Sequence, residues 1–298
     1  MKKFWKIFGI AFGAVALIGG IYAYVVFNAA TDLVEAVYNP VDRQEVRGEA
    51  VNLGDDPVSI LLLGIDREEF QTGGRSDTMM VVTINPNENS AYILSLARDT
   101  FVTLAGRGTQ ERLNHAFAWG GPQMAIETIE NFLNIPIDFY AELDMNGFGS
   151  LIDAVGGVTV ENDFAFTFHN MHFPAGELTL TGEEALGFVR MRYEDPRGDF
   201  GRQLRQRSVV ETLARGMISS GMTRFQQIFD AAEGYILTDL NMSNITNLLM
   251  NYSGAIRNVT QLDLSGTGTI VNGMYVEVIA ENDLLAIQNT LREHLELN

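Results

Sequence analysis

The chain contains no cysteine. That excludes disulfides, thiolate metal sites, a cysteine nucleophile and a lipid-modified cysteine anchor. Lysine is almost absent too. Its three copies are Lys2, Lys3 and Lys6, so every later fixed cation is an arginine. Positive charge is scarce overall. The formal net charge is −18, and −21 once those three lysines are set aside. A field of that sign repels nucleic acid and argues against a nucleic-acid partner. The sequence also lacks internal repeats and low-complexity tracts. Its 298 residues, 46% of them hydrophobic, are enough for one large domain or two small ones.

The first feature present is a membrane signal. No residue from Ile7 to Phe27 is charged, and about 20 helical residues cross a bilayer core. The lysines before this run place residues 1–6 in the cytoplasm, 7–27 across the membrane and the remainder outside. A signal peptide cleaved near Asn28–Ala30 is the competing reading, but its apolar core is usually about 7–15 residues. Residues 28–57 are polar and read as a stalk, leaving 58–298 as one extracellular domain.

Within that domain, strand and helix patterns alternate. "VSILLLGI" (58–65) is a continuous apolar run, the mark of a strand buried on both faces. "TMMVVTI" (78–84) and "AYILSLA" (91–97) follow as strands. Helical spacing covers Asn114 to Leu133. "DFYAEL" (138–143) reads as a strand, and "MNGFGSLIDAVGG" as a helix stopped by glycines. Glu161 to Gly176 reads as an aromatic loop. Thr181 and Glu184 form a capping box, and Phe200 to Ser220 a long helix. The expected fold is an α-β-α sandwich, a mixed central sheet with helices on both faces.

Charged residues interrupt these apolar patterns at particular points. Asp66 closes the first strand, Arg75 and Asp77 open the second, and Arg98 and Asp99 close the third. Arg190 and Arg192 share a face if their segment is extended. Asp199, Arg202 and Gln206 share a helix face. Strand ends in open α/β sheets form the usual ligand crevice. Arginines there suit phosphate oxygens, and a carboxylate pair beside phosphates suits Mg²⁺. Surface salt bridges would explain the same spacing. His169 and His172 lack a third ligand and read as part of the aromatic loop. His115 reads as a packing or capping residue.

Six blocks sharpen the choice: "LLLGIDREEFQTGGRSDTMMVV", "SLARDTFV", "RLNHAFAWGG", "LIDAVGGVTV", "FPAGELTLTGEEALGFVRMR" and "DFGRQLRQR". In this order they resemble the LytR-CpsA-Psr family of membrane-anchored bacterial cell-wall enzymes. The resemblance implies a phosphotransferase. It would move an anionic glycopolymer, such as wall teichoic acid or capsule, from an undecaprenyl-pyrophosphate carrier to the C6 hydroxyl of peptidoglycan N-acetylmuramic acid. It implies a single-pass protein of the bacterial plasma membrane. It implies that Asp66 and Asp77 hold Mg²⁺, with Mn²⁺ as the alternative. Arg75, Arg98, Arg112, Arg190, Arg192, Arg202 and Gln206 would bind the pyrophosphate, with Arg75, Asp77, Arg98 and Asp199 catalytic. The lipid tail would enter an apolar pocket between the sheet and its helices. Three positions depart from the family pattern: Ala97 for proline, Arg112 for lysine, and Arg207 for a second glutamine. A polyprenyl-pyrophosphate phosphohydrolase and a non-catalytic envelope regulator are the other readings.

Overall fold

The computed structural model describes residues 35–41, 47, 51–66, 74–232 and 234–297. The side chains of Asp66, Asn146, 220–226, 229 and 232 fall outside that description. The expected membrane segment 7–27 lies outside the described residues. Among those described, no helix is long and apolar enough to cross a membrane.

A six-stranded mixed sheet organises the chain. Its strands are β1 (Val58–Asp66), β2 (Arg75–Asn85), β3 (Ser90–Leu96), β6 (Phe139–Asp144), β11 (Ile236–Thr238) and β12 (Val259–Leu262), in the order β11-β6-β1-β2-β3-β12. β1, β2 and β3 run antiparallel in succession, while β6 is parallel to β1 and β12 to β3. The alternation of β1 divides two cores. Leu61, Leu63 and Ile65 join one face with Met79, Val81 and Leu94. Helix α1 (Asn114–Leu133) and the C-terminal α6 (Glu281–His294) cover that face. α1 is kinked where Gly121 adopts φ 61° and ψ −156°, just before Pro122. Only glycine takes that conformation without strain, and proline then restarts the helix at its first turn.

Val58 and Ile60 face the other way. On that side lie α2 (Met145–Val155), α3 (Gly182–Arg190), the long α4 (Asp199–Ala232) and α5 (Met242–Asn251). The sandwich is therefore mixed α/β as expected. α4 runs twelve residues past Ser220, the end expected from sequence. The Thr181–Glu184 capping box is present. The expected aromatic loop instead holds a hairpin, β8 (Phe166–Phe168) and β9 (Met171–Phe173), turned by His169 and Asn170 at positive φ. Phe166, Phe173 and Phe188 pack together beneath it.

The expected stalk also differs in its described parts. Val37 is buried, Asn39 bonds Tyr140, and Arg47 pairs with Asp138 at 2.9 Å. Apolar and paired groups of this kind hold the segment against the domain.

Candidate active site at the sheet rim

A β-bulge shapes the rim. Along β1 and β2, Gly64 opposes Thr78 but Ile65 opposes Ser76, so Asp77 has no partner on β1. Such an extra residue bends the strand and re-aims its side chain. Ser76 turns inward, is fully buried, and its hydroxyl donates to the Thr78 carbonyl at 2.9 Å. Gly64 is required by the close approach, since a Cβ there would sit 2.8 Å from that of Thr78.

Asp77 accepts from Arg98 Nη1 at 2.8 Å. Arg98 follows β3 in a turn closed by Thr100, whose N–H and hydroxyl both donate to the Ala97 carbonyl at 3.0 and 2.7 Å. These bonds fix the turn without the family's proline. Burial opposes the charge of Arg98, but its hydrogen bond to Asp77 and the carboxylates Asp77, Asp99 and Asp199 outweigh it and raise its proton affinity. Asp99 accepts from Arg112 Nη1 at 3.3 Å. Arg112 lies at the end of β5 (Gln110–Arg112), which pairs with β4 (Phe101–Thr103). His115 joins this chain. Its Nε2 lies 3.1 Å from Arg112 Nη2 and its Nδ1 3.2 Å from Glu111. Because arginine only donates, Nε2 accepts and Nδ1 carries the proton to Glu111.

A second group of charges arrives on α4. Asp199 is its first residue and binds Arg202 Nη2 at 2.7 Å, Arg192 Nε at 3.5 Å and the Gln203 amide at 3.1 Å. Burial, together with the like charges of Arg98 and Arg192, lowers the proton affinity of Arg202, with Asp199 and Asp77 opposing. A guanidinium stays charged regardless, so this crowding is a demand for an anion. Nε of Arg98, Arg112 and Arg202 are all buried without a hydrogen bond among the described residues. Three such donors suit phosphate oxygens.

Arg98, Arg112, Arg192 and Arg202 thus share one site with Asp77, Asp99 and Asp199. Two expected residues are exposed. Arg75 is exposed, opposite Asp66 in the β1–β2 register. Arg190 is the last residue of α3 and exposed. The backbone changes from helical at Arg190 to extended at Met191 (φ −59°, ψ 133°), so the two arginines do not lie on one continuous strand. Arg207 is buried and donates to the Leu262 carbonyl and, at 2.6 Å, to Asp263. It ties α4 to the end of β12, away from the site, so that departure from the family pattern is structural.

Below the rim, an apolar cavity of about 370 Å³ opens between the sheet and α2, α4 and α5. Leu62 and Met80 line its sheet side, and Val210, Leu213 and Ala214 its helix side. Thr78 and Gln206 also line it. Thr78 follows Asp77, and Gln206 lies one turn beyond Arg202, so these two join the cavity to the charged rim. Leu62 is only half-buried because it faces this space.

The donor set also bears on Mg²⁺. Among the described residues there is no cluster of three or more metal-binding side chains. Mg²⁺ does not need one, since it commonly takes one or two carboxylates and completes its shell with phosphate and water. Asp77 has a second carboxylate oxygen not engaged by Arg98, so the residues fit. The side chain of Asp66 lies outside the described residues.

Sequence reasoning missed Glu277 and Tyr275. Both lie on β14 (Met274–Val278), paired with β13 (Thr267–Val271). The only local signal is a carboxylate inside an apolar strand, "MYVEV".

The sequence profile of the LytR_cpsA_psr family matches residues 22–293. The chain belongs to the LytR-CpsA-Psr family. A family relative from Halalkalibacterium halodurans is 44% identical over 307 residues, covering 100% of both chains. Its name is polyisoprenyl-teichoic acid–peptidoglycan teichoic acid transferase TagU. The Bacillus subtilis protein of that name is 38% identical over 286 residues, 95% of this chain and 93% of its own. Among solved LytR-CpsA-Psr structures, B. subtilis TagU aligns with a TM-score of 0.67 at 37% identity, over 82% of this chain and 99% of its own. TagT bound to LI-WTA aligns with a TM-score of 0.73 at 27% identity, over 86% and 98%.

Proposed function

We propose that this chain attaches a teichoic-acid-type anionic glycopolymer, carried on undecaprenyl pyrophosphate, to the C6 hydroxyl of peptidoglycan N-acetylmuramic acid. The observation that carries the reading is the continuity of an arginine-rich rim with an apolar cavity through Thr78 and Gln206. A lipid pyrophosphate has those two chemistries in the same order. The names of the relatives support teichoic acid and peptidoglycan as the substrates.

In this reading, Arg98, Arg112, Arg192 and Arg202 bind the pyrophosphate oxygens and offset charge as the bridging bond breaks. Positioning and electrostatics of this kind carry most phosphoryl-transfer catalysis. Gln206 donates to an inner phosphate oxygen, and Asp199 holds Arg192 and Arg202 in place. Arg75 and Arg190 meet the outer part of the donor from the exposed edge. Mg²⁺ or Mn²⁺, held by Asp66 and Asp77, would supply further charge neutralisation at the pyrophosphate. The chain is placed in the bacterial plasma membrane by a single span at residues 7–27, with its N-terminus in the cytoplasm.

The test uses purified full-length chain with an undecaprenyl-pyrophosphate-linked saccharide and a peptidoglycan oligosaccharide. Label should move to peptidoglycan, and Arg98→Ala should slow transfer by about 10²–10³-fold. Label released into water at the same rate without peptidoglycan would identify a phosphohydrolase instead. Wild-type rates in Arg98→Ala would remove the arginine rim from the reaction.

A further inference from the structure

Transfer to a hydroxyl requires a recipient for its proton, and the carboxylates among the arginines are already paired. Asp77 is held by Arg98 at 2.8 Å. Asp99 lies between Arg112 at 3.3 Å and Arg98 at 3.6 Å. Asp199 takes Arg202 at 2.7 Å and Arg192 at 3.5 Å. Each of the three is thus already paired with at least one arginine.

Glu277 is different. Its strand belongs to the β13–β14 hairpin, outside the six-stranded sheet. The Glu277 N–H donates to the Asp99 carbonyl at 2.8 Å, and Glu277 bridges Thr100. These contacts tie the hairpin to the turn that carries Arg98. The side chain is half-buried, with no ion pair among the described residues. The charges of Asp199 from α4, Asp99 from that turn and Arg192 from the segment before α4 act on it. Burial first, then Asp199 and Asp99, raise its carboxyl above the usual glutamate value, with Arg192 opposing. Tyr275, two residues earlier, projects from the same side of the strand. It feels the charges of Glu277, Asp99, Arg192 and Asp199, yet its ring is half exposed.

We propose that the β13–β14 hairpin is the acceptor side of the site, with Glu277 as general base for the acceptor hydroxyl and Tyr275 as the platform for its sugar ring. The inference rests on the transferase reading above. The acceptor oxygen bonds to the phosphorus bearing the glycopolymer, and the bond from that phosphorus to the bridging oxygen breaks. The electron pair leaves with polyprenyl phosphate, and the hydroxyl proton passes to a Glu277 carboxylate oxygen. A base works best when its proton affinity lies close to the operating pH, and burial moves Glu277 in that direction while no arginine is paired with it among the described residues. The exposed ring of Tyr275 offers an apolar face to a sugar while its hydroxyl stays in water.

The experiment measures kcat and acceptor KM against pH for the full-length chain, Glu277→Gln, Glu277→Asp and Tyr275→Ala. The donor is the same synthetic undecaprenyl-pyrophosphate saccharide. Glu277→Gln should lower kcat by about 10²–10⁴-fold and lose the acid limb of the profile, with donor affinity unchanged. Glu277→Asp should restore part of kcat with an acid limb present. Tyr275→Ala should raise acceptor KM more than it lowers kcat. A folded Glu277→Gln protein with wild-type kcat and pH profile overturns the assignment. So does one that loses donor binding, since that marks a structural role. A wild-type chain that binds donor but never transfers it would instead sink the transferase reading.

Discussion

The segment that brings Arg192 and Asp199 to the rim is fastened by a buried ion pair, and cutting it gives a quantitative test. Asp195 and Arg205 meet at 2.5 Å, with side chains 0% and 6% exposed. Arg205 also donates to the carbonyls of Phe188 at 3.0 Å and Met191 at 2.5 Å. Its guanidinium lies over Phe166 and Phe188. Arg205→Met keeps an unbranched apolar stem among those rings but removes all three donated bonds. Two buried carbonyls then lose a partner at about 1 kcal/mol or more each. Breaking a buried pair as a whole costs roughly 3–5 kcal/mol. Asp195 keeps Arg197 at 3.1 Å, which places the loss at the lower end, about 3 kcal/mol. For a domain of this size that is a fall in Tm of about 6–12 °C.

The acid limb of stability should move as well. Burial alone would push the Asp195 carboxyl up, but hydrogen bonds from Arg197 and Arg205 outweigh it and hold the carboxyl below its ordinary value. The unfolded chain therefore binds this proton first as pH falls. The stabilisation is complete above the ordinary aspartate range and fades below it. In Arg205→Met the folded carboxyl is held down less, so this acid-side loss should be smaller. Thermal melts followed by circular dichroism across pH read both effects. A Tm within about 2 °C of wild type, the size of less than 1 kcal/mol, would refute the fastening role.

Two further outcomes follow from other parts of the fold. Ala214→Trp, on the cavity wall, should raise KM for the lipid-linked donor by at least about tenfold, or 1.4 kcal/mol, without lowering Tm. An unchanged KM in steady-state kinetics would show that the lipid lies elsewhere. His294 is buried against Tyr92, with its ring nitrogens at Thr83 and Ser90, and burial lowers its proton affinity despite Glu88 and Glu296. Only the unfolded chain takes up this proton as pH drops below about 6.5, so stability should fall there until the folded imidazole also titrates. Urea midpoints at about pH 7.5 and 5.5 should differ more for wild type than for His294→Phe. Equal differences would exclude the imidazole as the cause.

The parts of the fold legible in the sequence are those written in local patterns. β1 announces itself because a strand buried on both faces needs apolar residues at every position. The rim residues were legible because Asp77, Arg98 and Asp199 interrupt such patterns, and a chain rarely buries charge without use for it. The β-bulge that re-aims Asp77 left no mark, since a register slip depends on two strands at once. Arg190 and Arg192 looked equivalent by spacing, yet α3 ends between them. The β8–β9 turn went unread because its positive-φ pair is His169–Asn170 rather than an Asn-Gly or Asp-Gly signal. Glu277 was invisible for a different reason. It reaches Asp99 through a hairpin about 180 residues further along the chain, and no window of sequence holds both.

The buried position of Val37 sets a length. It packs with Met242 and Ile245 and against Leu240 and Leu249. Ile245, Leu240 and Leu249 also line the apolar cavity. If the proposed span ends at Phe27, only ten peptide steps separate the bilayer from that end of the cavity. However those residues are arranged, the chain reaches at most about 36 Å. The domain is then on a short leash that keeps this end of the cavity within about 36 Å of the lipid. A donor need not be pulled far from its own leaflet to thread the cavity. Under the proposed function the acceptor, in contrast, would have to come down to the membrane face of the wall, which would restrict attachment to its innermost strands.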